Sequence, residues 1–182
     1  MYGGGETALV FVHCWCCDQG YWREQVDTFS RDYRVVTIDL AGHGKSGSGR
    51  DHYTLEAFGL DVASVVKHLE LDRIILIGHS MGGGVILAAA HQLKEQTLAL
   101  IGVDTYQGFQ YALSDSMINE FVQPFRKDFY HTTIGFVHGM FPPGADSVLV
   151  TEIAEDMAQG PADAGISAMV NNISTDPVEL LE

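Results

Sequence analysis

The stretch RIILIGHSMGGGVILAAA, residues 73–90, decides the fold of this chain. It joins a short apolar run, typical of a buried β-strand, to a longer run of helix-forming residues. The junction is Gly78-His79-Ser80-Met81-Gly82, which matches the pattern G-x-S-x-G. A sharp strand-to-helix turn strains its central residue and requires small residues two positions to either side. The motif therefore predicts that Ser80 presents its hydroxyl at the carboxyl end of a sheet.

Outward from this junction, apolar runs rich in Val and Ile alternate with stretches of helical period. Strands are predicted at residues 7–12, 34–40, 73–78 and 97–104. Thr54 is predicted to cap a helix whose apolar residues share one face: Leu55, Phe58, Val62, Val65, Val66 and Leu69. This alternation predicts an α/β fold in which helices flank a parallel sheet.

The pattern changes after residue 105. Aromatic, Met and polar residues mix from there to the end, and all 5 prolines of the chain occur in this segment. The prolines are predicted to divide it into short helices. We therefore predict two parts, a core over residues 1–105 and a helical cap over residues 106–182. The aromatic and Met side chains expected to wall an apolar pocket are Tyr106, Phe109, Tyr111, Phe121, Phe125, Phe129, Tyr130, Phe136, Met140 and Phe141.

Composition excludes several classes of partner. The 182-residue chain carries a formal net charge of −14 with only 10 Lys and Arg, which argues against nucleic acid or an anionic membrane surface. Its most apolar window is interrupted by His79, Ser80 and three glycines, so no membrane span is expected. The N-terminus carries no pattern of a secretory signal. A cytoplasmic location is expected.

Three motifs in order give the chain a resemblance to the α/β-hydrolase superfamily, in its serine-nucleophile branch: HCWCC at residues 13–17, DLAGHGKS at residues 39–46 and GHSMGG at residues 78–83. The resemblance implies a small-molecule acyl substrate, an acyl-enzyme on Ser80 and no cofactor or metal. It also implies that the backbone amides of Trp15 and Met81 form an oxyanion hole. Cys14 stands where the family usually has Gly, so either the loop adjusts or the oxyanion hole is poorer.

The remaining partners of Ser80 are harder to place. Asp104 follows the strand after the motif, where some family members carry the catalytic acid; the alternative is a capping or loop carboxylate.

In the family, the histidine that acts as the general base follows the last strand of the core, and this sequence has no histidine at that place. His131 and His138 belong to the cap segment. We therefore predict a fragment lacking the N-terminal hairpin and the last part of the core. The alternative function is a non-catalytic ligand-binding protein on a hydrolase scaffold.

The cysteines allow other interpretations. Cys14-Trp15-Cys16-Cys17 is a C-x-x-C between a strand and a helix, as in thioredoxin-like oxidoreductases, but that class leaves the downstream motif unexplained. A zinc site from His13 and the three thiols is disfavoured, because ligands packed into five residues wrap a tetrahedron poorly. The favoured interpretation is small packing residues in a reducing compartment.

Gly44-Lys45-Ser46 resembles the end of a phosphate-binding loop. The first glycine of that pattern would fall on Asp39, so no phosphate site is expected. His43 and His79 are interpreted as structural and positional residues.

Overall fold

Four parallel strands form one sheet in the order β2-β1-β3-β4, in a computed structural model that describes residues 1–105, 113–176, 178 and 180. The strands are β1 Ala8–Val12, β2 Arg34–Ile38, β3 Ile74–His79 and β4 Thr97–Val103. β1 pairs in parallel with β2 and with β3, and β3 pairs in parallel with β4, with a register shift between Ile74 and Ile75. The predicted parallel sheet is confirmed, with strand ends within two residues of the predicted ones.

Three helices connect these strands: α1 Arg23–Phe29, α2 Leu55–His68 and α3 Met81–Gln92. Thr54 caps α2 as predicted, because its side chain accepts a hydrogen bond from the amide of Ala57 at 3.0 Å. α1 is the shortest of the three, with 7 residues. A 3₁₀ turn, Gln19–Trp22, precedes α1, which ends at Phe29.

The side chains of β1 alternate between the two faces of the sheet. Ala8, Val10 and Val12 belong to the larger apolar cluster, which includes α2 and α3. Leu9 and Phe11 belong to a smaller cluster with Trp22 on the opposite face. All five residues are buried, which explains why the strand is a continuous apolar run rather than an alternating one.

Four further helices follow β4 in the described residues: α4 Asp115–Lys127, α5 Phe129–Met140, α6 Ser147–Ala158 and α7 Ala162–Ser174. The prediction that prolines end these helices is wrong for Pro124, which lies inside α4. Pro124 is near the C-terminus of α4, so its missing N–H removes one hydrogen bond while the apolar face of the helix stays buried. Pro161 instead precedes α7.

The four helices share the large apolar cluster with the sheet. Val122, Val137 and Met169 belong to the same cluster as Val10 and Leu76. The division into a core and a cap at residue 105 therefore stays a prediction.

β4 lies at one edge of the sheet and is largely exposed. Leu98, Leu100, Ile101 and Val103 are exposed apolar side chains of this strand. In the described residues, β4 thus contributes little to the core, in contrast to β1 and β3. No helix in the described ranges is long and apolar enough to cross a bilayer.

Candidate active site

Ser80 occupies the turn between β3 and α3. Its backbone has φ 50° and ψ −117°, a conformation that non-glycine residues rarely adopt, and its side chain is exposed. The turn is held from two sides, since the Ser80 amide donates to the Val103 carbonyl at 3.0 Å and Thr105 Oγ1 donates to the Ser80 carbonyl at 2.7 Å. The predicted elbow is therefore present in the backbone.

The glycines around Ser80 allow the elbow to pack closely. A Cβ on Gly82 would lie 2.6 Å from the Val12 carbonyl oxygen, and a Cβ on Gly78 would collide with the backbone of Gly82. Real Cβ atoms do not approach backbone oxygens so closely. These contacts explain why the motif requires glycine two residues before and two residues after Ser80.

Ser80 opens into a cavity of about 410 Å³ between the sheet and the four later helices. The residues that line it from the sheet side are Cys14, Trp15, Cys17, Tyr21, His79, Ser80, Met81 and Asp104. The structure therefore brings Ser80 together with the other three predicted site residues, Trp15, Met81 and Asp104. A cavity of this size suits a small-molecule ligand.

The helices cover the cavity with apolar side chains. From the predicted set, Phe121, Phe136, Met140 and Phe141 line it, and Ile153 and Met169 also contribute. Phe125 and Phe129 instead contact the ring of Trp15, and Tyr130 is exposed. Tyr106, Phe109 and Tyr111 lie outside the described residues.

Trp15 connects the loop after β1 to the helical segment. Its indole Nε1 donates to the Gly165 carbonyl at 2.7 Å, and its ring meets Phe125, Phe129 and Phe136 at 5.8, 5.9 and 6.0 Å between centroids. Within the described residues, its backbone amide donates to no hydrogen-bond acceptor. The helices thus hold the orientation of the loop that carries this amide.

Met81 is the first residue of α3. The backbone amide of the first residue in a helix has no hydrogen-bond acceptor within the helix, and it lies at the positive end of the helix dipole. Ser80 makes no side-chain hydrogen bond that would cap this helix end. The positive end of the helix dipole at Met81 therefore favours negative charge near this end of the helix.

Asp104 lies at the carboxyl end of β4 and lines the same cavity. Its backbone φ is 46°, in the left-handed region, where Asp is one of the better tolerated residues. Its charge helps to raise the pKa of His79. Asp104 is thus placed to act on an imidazole in this cavity.

The histidines considered for the base are elsewhere. His131 pairs with the exposed Asp128 at 2.9 Å, and His138 is exposed on α5. Neither lines the cavity, and His91 Nε2 contacts the carbonyl of Leu180 at 2.8 Å. Among the described histidines none hydrogen-bonds to Ser80 Oγ, so this part of the chain assigns no general base.

His79 is the histidine that does line the cavity. The hydrogen bond with Cys14 has the largest influence on His79 and raises the pKa of its imidazole, whereas burial acts to lower this pKa. Its imidazole lies edge-on to Trp22, with 6.3 Å between ring centroids. The sequence indicated a positional residue, and it did not reveal the contact with Cys14, because Cys14 follows β1 whereas His79 ends β3.

His13 is a structural residue that sequence reasoning missed. Its side chain is 1% exposed, and Nε2 accepts a hydrogen bond from the Leu40 amide at 2.9 Å. Nδ1 then carries the proton and donates to the Cys14 carbonyl at 2.7 Å. Burial, together with the neighbouring His43, lowers the pKa of His13 to about 4. A neutral imidazole therefore joins the loops after β1 and β2.

Asp39 joins the same two loops. Its carboxylate accepts from the Gln19 amide at 2.7 Å and from the Lys45 amide at 3.0 Å. Burial acts to raise the pKa of Asp39, but the hydrogen bonds from Gln19 and Lys45 outweigh it and the pKa is lowered. In the loop around Gly44-Lys45-Ser46, which resembles the end of a phosphate-binding loop, the Lys45 amide thus donates to the carboxylate of Asp39.

The three cysteines are free and buried in the large apolar cluster. Cys14 Sγ and Cys17 Sγ are 2.7 Å apart and share a hydrogen bond. In the described ranges, no group of three or more His, Cys, Asp or Glu side chains could hold a metal ion. The thiols therefore pack in the core, while two of them also face the cavity.

The sheet order, the strained Ser80 and the cavity agree with the comparisons with known proteins. The family described as alpha/beta hydrolase fold matches residues 7–148, and the chain belongs to this family. The predicted fold and resemblance are thereby confirmed, and the thioredoxin-like alternative is wrong.

Two curated relatives show how far the similarity extends. The dihydrolipoyllysine-residue acetyltransferase component of the acetoin cleaving system of Pseudomonas putida is 32% identical over 120 residues, covering 66% of this chain and 32% of that protein. The non-heme haloperoxidase of Rhodococcus erythropolis is 28% identical over 165 residues, covering 79% of this chain and 57% of that protein. The chain thus spans about a third to just over half of the length of these relatives.

Solved structures share the fold over nearly the whole chain. A hydrolase from Oleispira antarctica superposes with a TM-score of 0.88 at 18% identity, over 99% of this chain and 70% of that one. An esterase from Exiguobacterium antarcticum superposes with a TM-score of 0.82 at 19% identity, over 94% of this chain and 66% of that one. At such identities the similarity establishes the fold alone.

Proposed function

We propose that this chain carries the nucleophile and the oxyanion donors of a serine hydrolase that cleaves carboxylic esters or related acyl compounds. The observation that carries the proposal is the backbone of Ser80, with φ 50° at an exposed position between β3 and α3. A strained residue is retained where its conformation serves a purpose, and here it presents a hydroxyl to an apolar cavity. Membership of the α/β-hydrolase family supports hydrolase chemistry.

In the proposed reaction, Ser80 Oγ attacks the carbonyl carbon of the acyl substrate and loses its proton to a general base, which the described residues do not assign. The carbonyl oxygen becomes an oxyanion, which accepts hydrogen bonds from the amides of Trp15 and Met81. The leaving alcohol takes the proton from the base, and water then releases the acid from Ser80. We assign to Asp104 the role of the carboxylate that orients the base.

The cavity supports a small substrate with an apolar acyl or alcohol group. Phe136, Met140 and Ile153 line it together with Ser80. Its polar lining residues include His79 and Asp104. An apolar group bound there is removed from water while its ester carbonyl lies beside Ser80.

The test is hydrolysis of p-nitrophenyl butyrate by the wild-type chain and by Ser80→Ala. The matched control is Ser64→Ala, an exposed serine of α2 whose hydroxyl bonds the Leu60 carbonyl at 2.8 Å. We expect Ser80→Ala to lower kcat/KM by at least about 100-fold and Ser64→Ala to leave it unchanged. Equal turnover by wild type and Ser80→Ala contradicts the proposal. Binding of the ester with no turnover by either favours the non-catalytic alternative.

A further inference from the structure

Cys14 and Cys17 lie at the two ends of one tight turn in the cavity wall. The Cys17 amide donates to the Cys14 carbonyl at 3.3 Å, and Cys16 between them has φ 54°. A β-turn keeps its first and fourth Cα atoms within about 7 Å, which overlaps the separation that disulfides require. The two Sγ atoms already contact each other at 2.7 Å. The backbone can therefore accept a bond between these sulfurs without moving far.

The surroundings make the two thiols unequal. The hydrogen bond from Cys17, followed by the one from His79, lowers the pKa of Cys14 despite the opposing effect of burial. The same contact with Cys14, reinforced by burial, raises the pKa of Cys17. Other groups facing the pair are Tyr21, whose hydroxyl donates to Asp156 at 2.7 Å, the thiol of Cys16, and Asp104, whose charge acts on His79. Cys14 is thus the more nucleophilic sulfur, and Cys17 keeps its proton.

Small molecules can reach both sulfurs. Cys14 and Cys17 are only 7% and 4% exposed, but both line the cavity of about 410 Å³ that contains Ser80. Hydrogen peroxide is close to water in size and fits a space made for a larger ligand.

We propose that Cys14 and Cys17 form an oxidisable pair that hydrogen peroxide converts into an intramolecular disulfide in the wall of this cavity. The Cys14 thiol passes its proton to His79, the resulting thiolate attacks one peroxide oxygen, the O–O bond breaks, and Cys14 becomes a sulfenic acid. The departing hydroxide takes a proton from His79 and leaves as water.

Cys17 then attacks the sulfenic sulfur. An S–S bond forms, the S–O bond breaks, and the second hydroxide leaves as water with the proton of Cys17. One peroxide is reduced to two waters, and two thiols are oxidised to one disulfide. The proposal concerns the thiols alone, so it is independent of hydrolase activity.

Cys16 provides an internal control. It lies in the same turn, but its sulfur packs against the backbone near Gly160 and Gly165 and has no hydrogen bond to another thiol in the described residues. Burial raises the pKa of Cys16, and the charge of Cys14 adds to this effect. Cys16 is 8% exposed and Cys14 is 7% exposed, so the exposed fraction alone would not distinguish the two thiols.

The experiment exposes the reduced, folded chain to hydrogen peroxide, denatures it without reductant and counts free thiols by alkylation and intact mass. We expect the count to fall from 3 to one, with a mass loss of two hydrogens and a Cys14–Cys17 link in the fragment spectrum. Retention of all thiols overturns the proposal, as does a disulfide containing Cys16. An equal oxidation rate in urea-unfolded protein also overturns it, because the folded geometry would then contribute nothing.

Variants separate the two steps. Cys16→Ser should still form the disulfide, whereas Cys17→Ser should stop at a Cys14 sulfenic acid that dimedone traps. In the wild type, iodoacetamide at pH 7 should modify Cys14 at least about tenfold faster than Cys16. This last measurement uses no variant, so it tests the reactivity of Cys14 even if a substitution prevents folding. Equal labelling rates contradict the proposed difference between the thiols.

Discussion

His13 Nε2 accepts a hydrogen bond from the backbone amide of Leu40 at 2.9 Å, and this bond joins the loops that follow the two neighbouring strands β1 and β2. The acceptor nitrogen must be unprotonated for the bond to exist. The loop after β1 carries Trp15, so the protonation state of a buried histidine bears on the geometry of the candidate site.

Stability should therefore fall as the pH is lowered. Burial lowers the pKa of His13 in the folded chain to about 4, below its ordinary value of 6.5, so the unfolded state binds more protons between these values. The free energy of unfolding should drop by about 2 kcal/mol between pH 7 and pH 5 through His13. Urea unfolding across this range measures the loss. His13→Gln, which keeps an acceptor, should flatten the slope, and the exposed control His68→Gln should not. A slope unchanged by His13→Gln rejects this assignment.

The elbow glycine Gly82 should be intolerant of a methyl group. A Cβ at Gly82 would lie 2.6 Å from the Val12 carbonyl and 2.8 Å from the His13 carbonyl, both parts of rigid backbone. Gly82→Ala should therefore lower the free energy of unfolding by about 1–3 kcal/mol. Gly135→Ala is the matched control, since a Cβ there meets nothing within 4 Å in α5, and it should stabilise the chain by up to about 1 kcal/mol. Urea unfolding compares the two, and equal effects would contradict the packing described for the elbow.

The indole N–H of Trp15 should contribute more to stability and activity than the indole N–H of Trp22. Trp15→Phe leaves the Gly165 carbonyl without its 2.7 Å donor and should cost about 1–2 kcal/mol of stability. It should also lower kcat about tenfold, because the loop amide loses its fixed orientation.

Trp22→Phe is the control for this change. Trp22 Nε1 is buried without a hydrogen-bond partner among the described residues, so its loss removes no bond. Unfolding free energies and kcat should separate the two variants. If Trp22→Phe proves as harmful to kcat as Trp15→Phe, the role given to Trp15 is wrong.

Filling the cavity should raise KM for longer acyl chains. Ile153 lines the cavity from α6, and Ile153→Trp should raise KM for p-nitrophenyl butyrate about tenfold while affecting the acetate ester less. Leu149→Trp on the same helix is the control, because Leu149 is exposed. Steady-state kinetics on both esters measure the difference. Unchanged KM values in Ile153→Trp place the acyl group elsewhere.

Local sterics explain which features the sequence could predict. The turn at Ser80 was predictable because glycine two residues to either side is a requirement of the backbone itself. The strands were predictable because buried parallel strands are continuous apolar runs. Pro124 shows the limit, since the packing of α4 outweighs the hydrogen bond that the proline removes.

Contacts between distant segments could not be predicted. Two examples are the hydrogen bond between His13 and Leu40 and the contact between Cys14 and His79. Both depend on how the carboxyl ends of neighbouring strands lie beside each other. A sequence motif gives the residue types and their spacing within one segment. It does not show which side chains of different segments are in contact. For the same reason Asp104 could be placed at a strand end, but its position beside His79 in the cavity could not.

The most direct test of the central claim is reaction of the chain with a fluorophosphonate probe, followed by mass spectrometry of the labelled peptide. Such probes phosphonylate a serine only where it is activated and an oxyanion can be stabilised beside it. We predict a single adduct on Ser80 that disappears in Ser80→Ala. Absence of an adduct on Ser80 in the folded chain, or labelling that persists in Ser80→Ala, would contradict the assignment of Ser80 as the nucleophile.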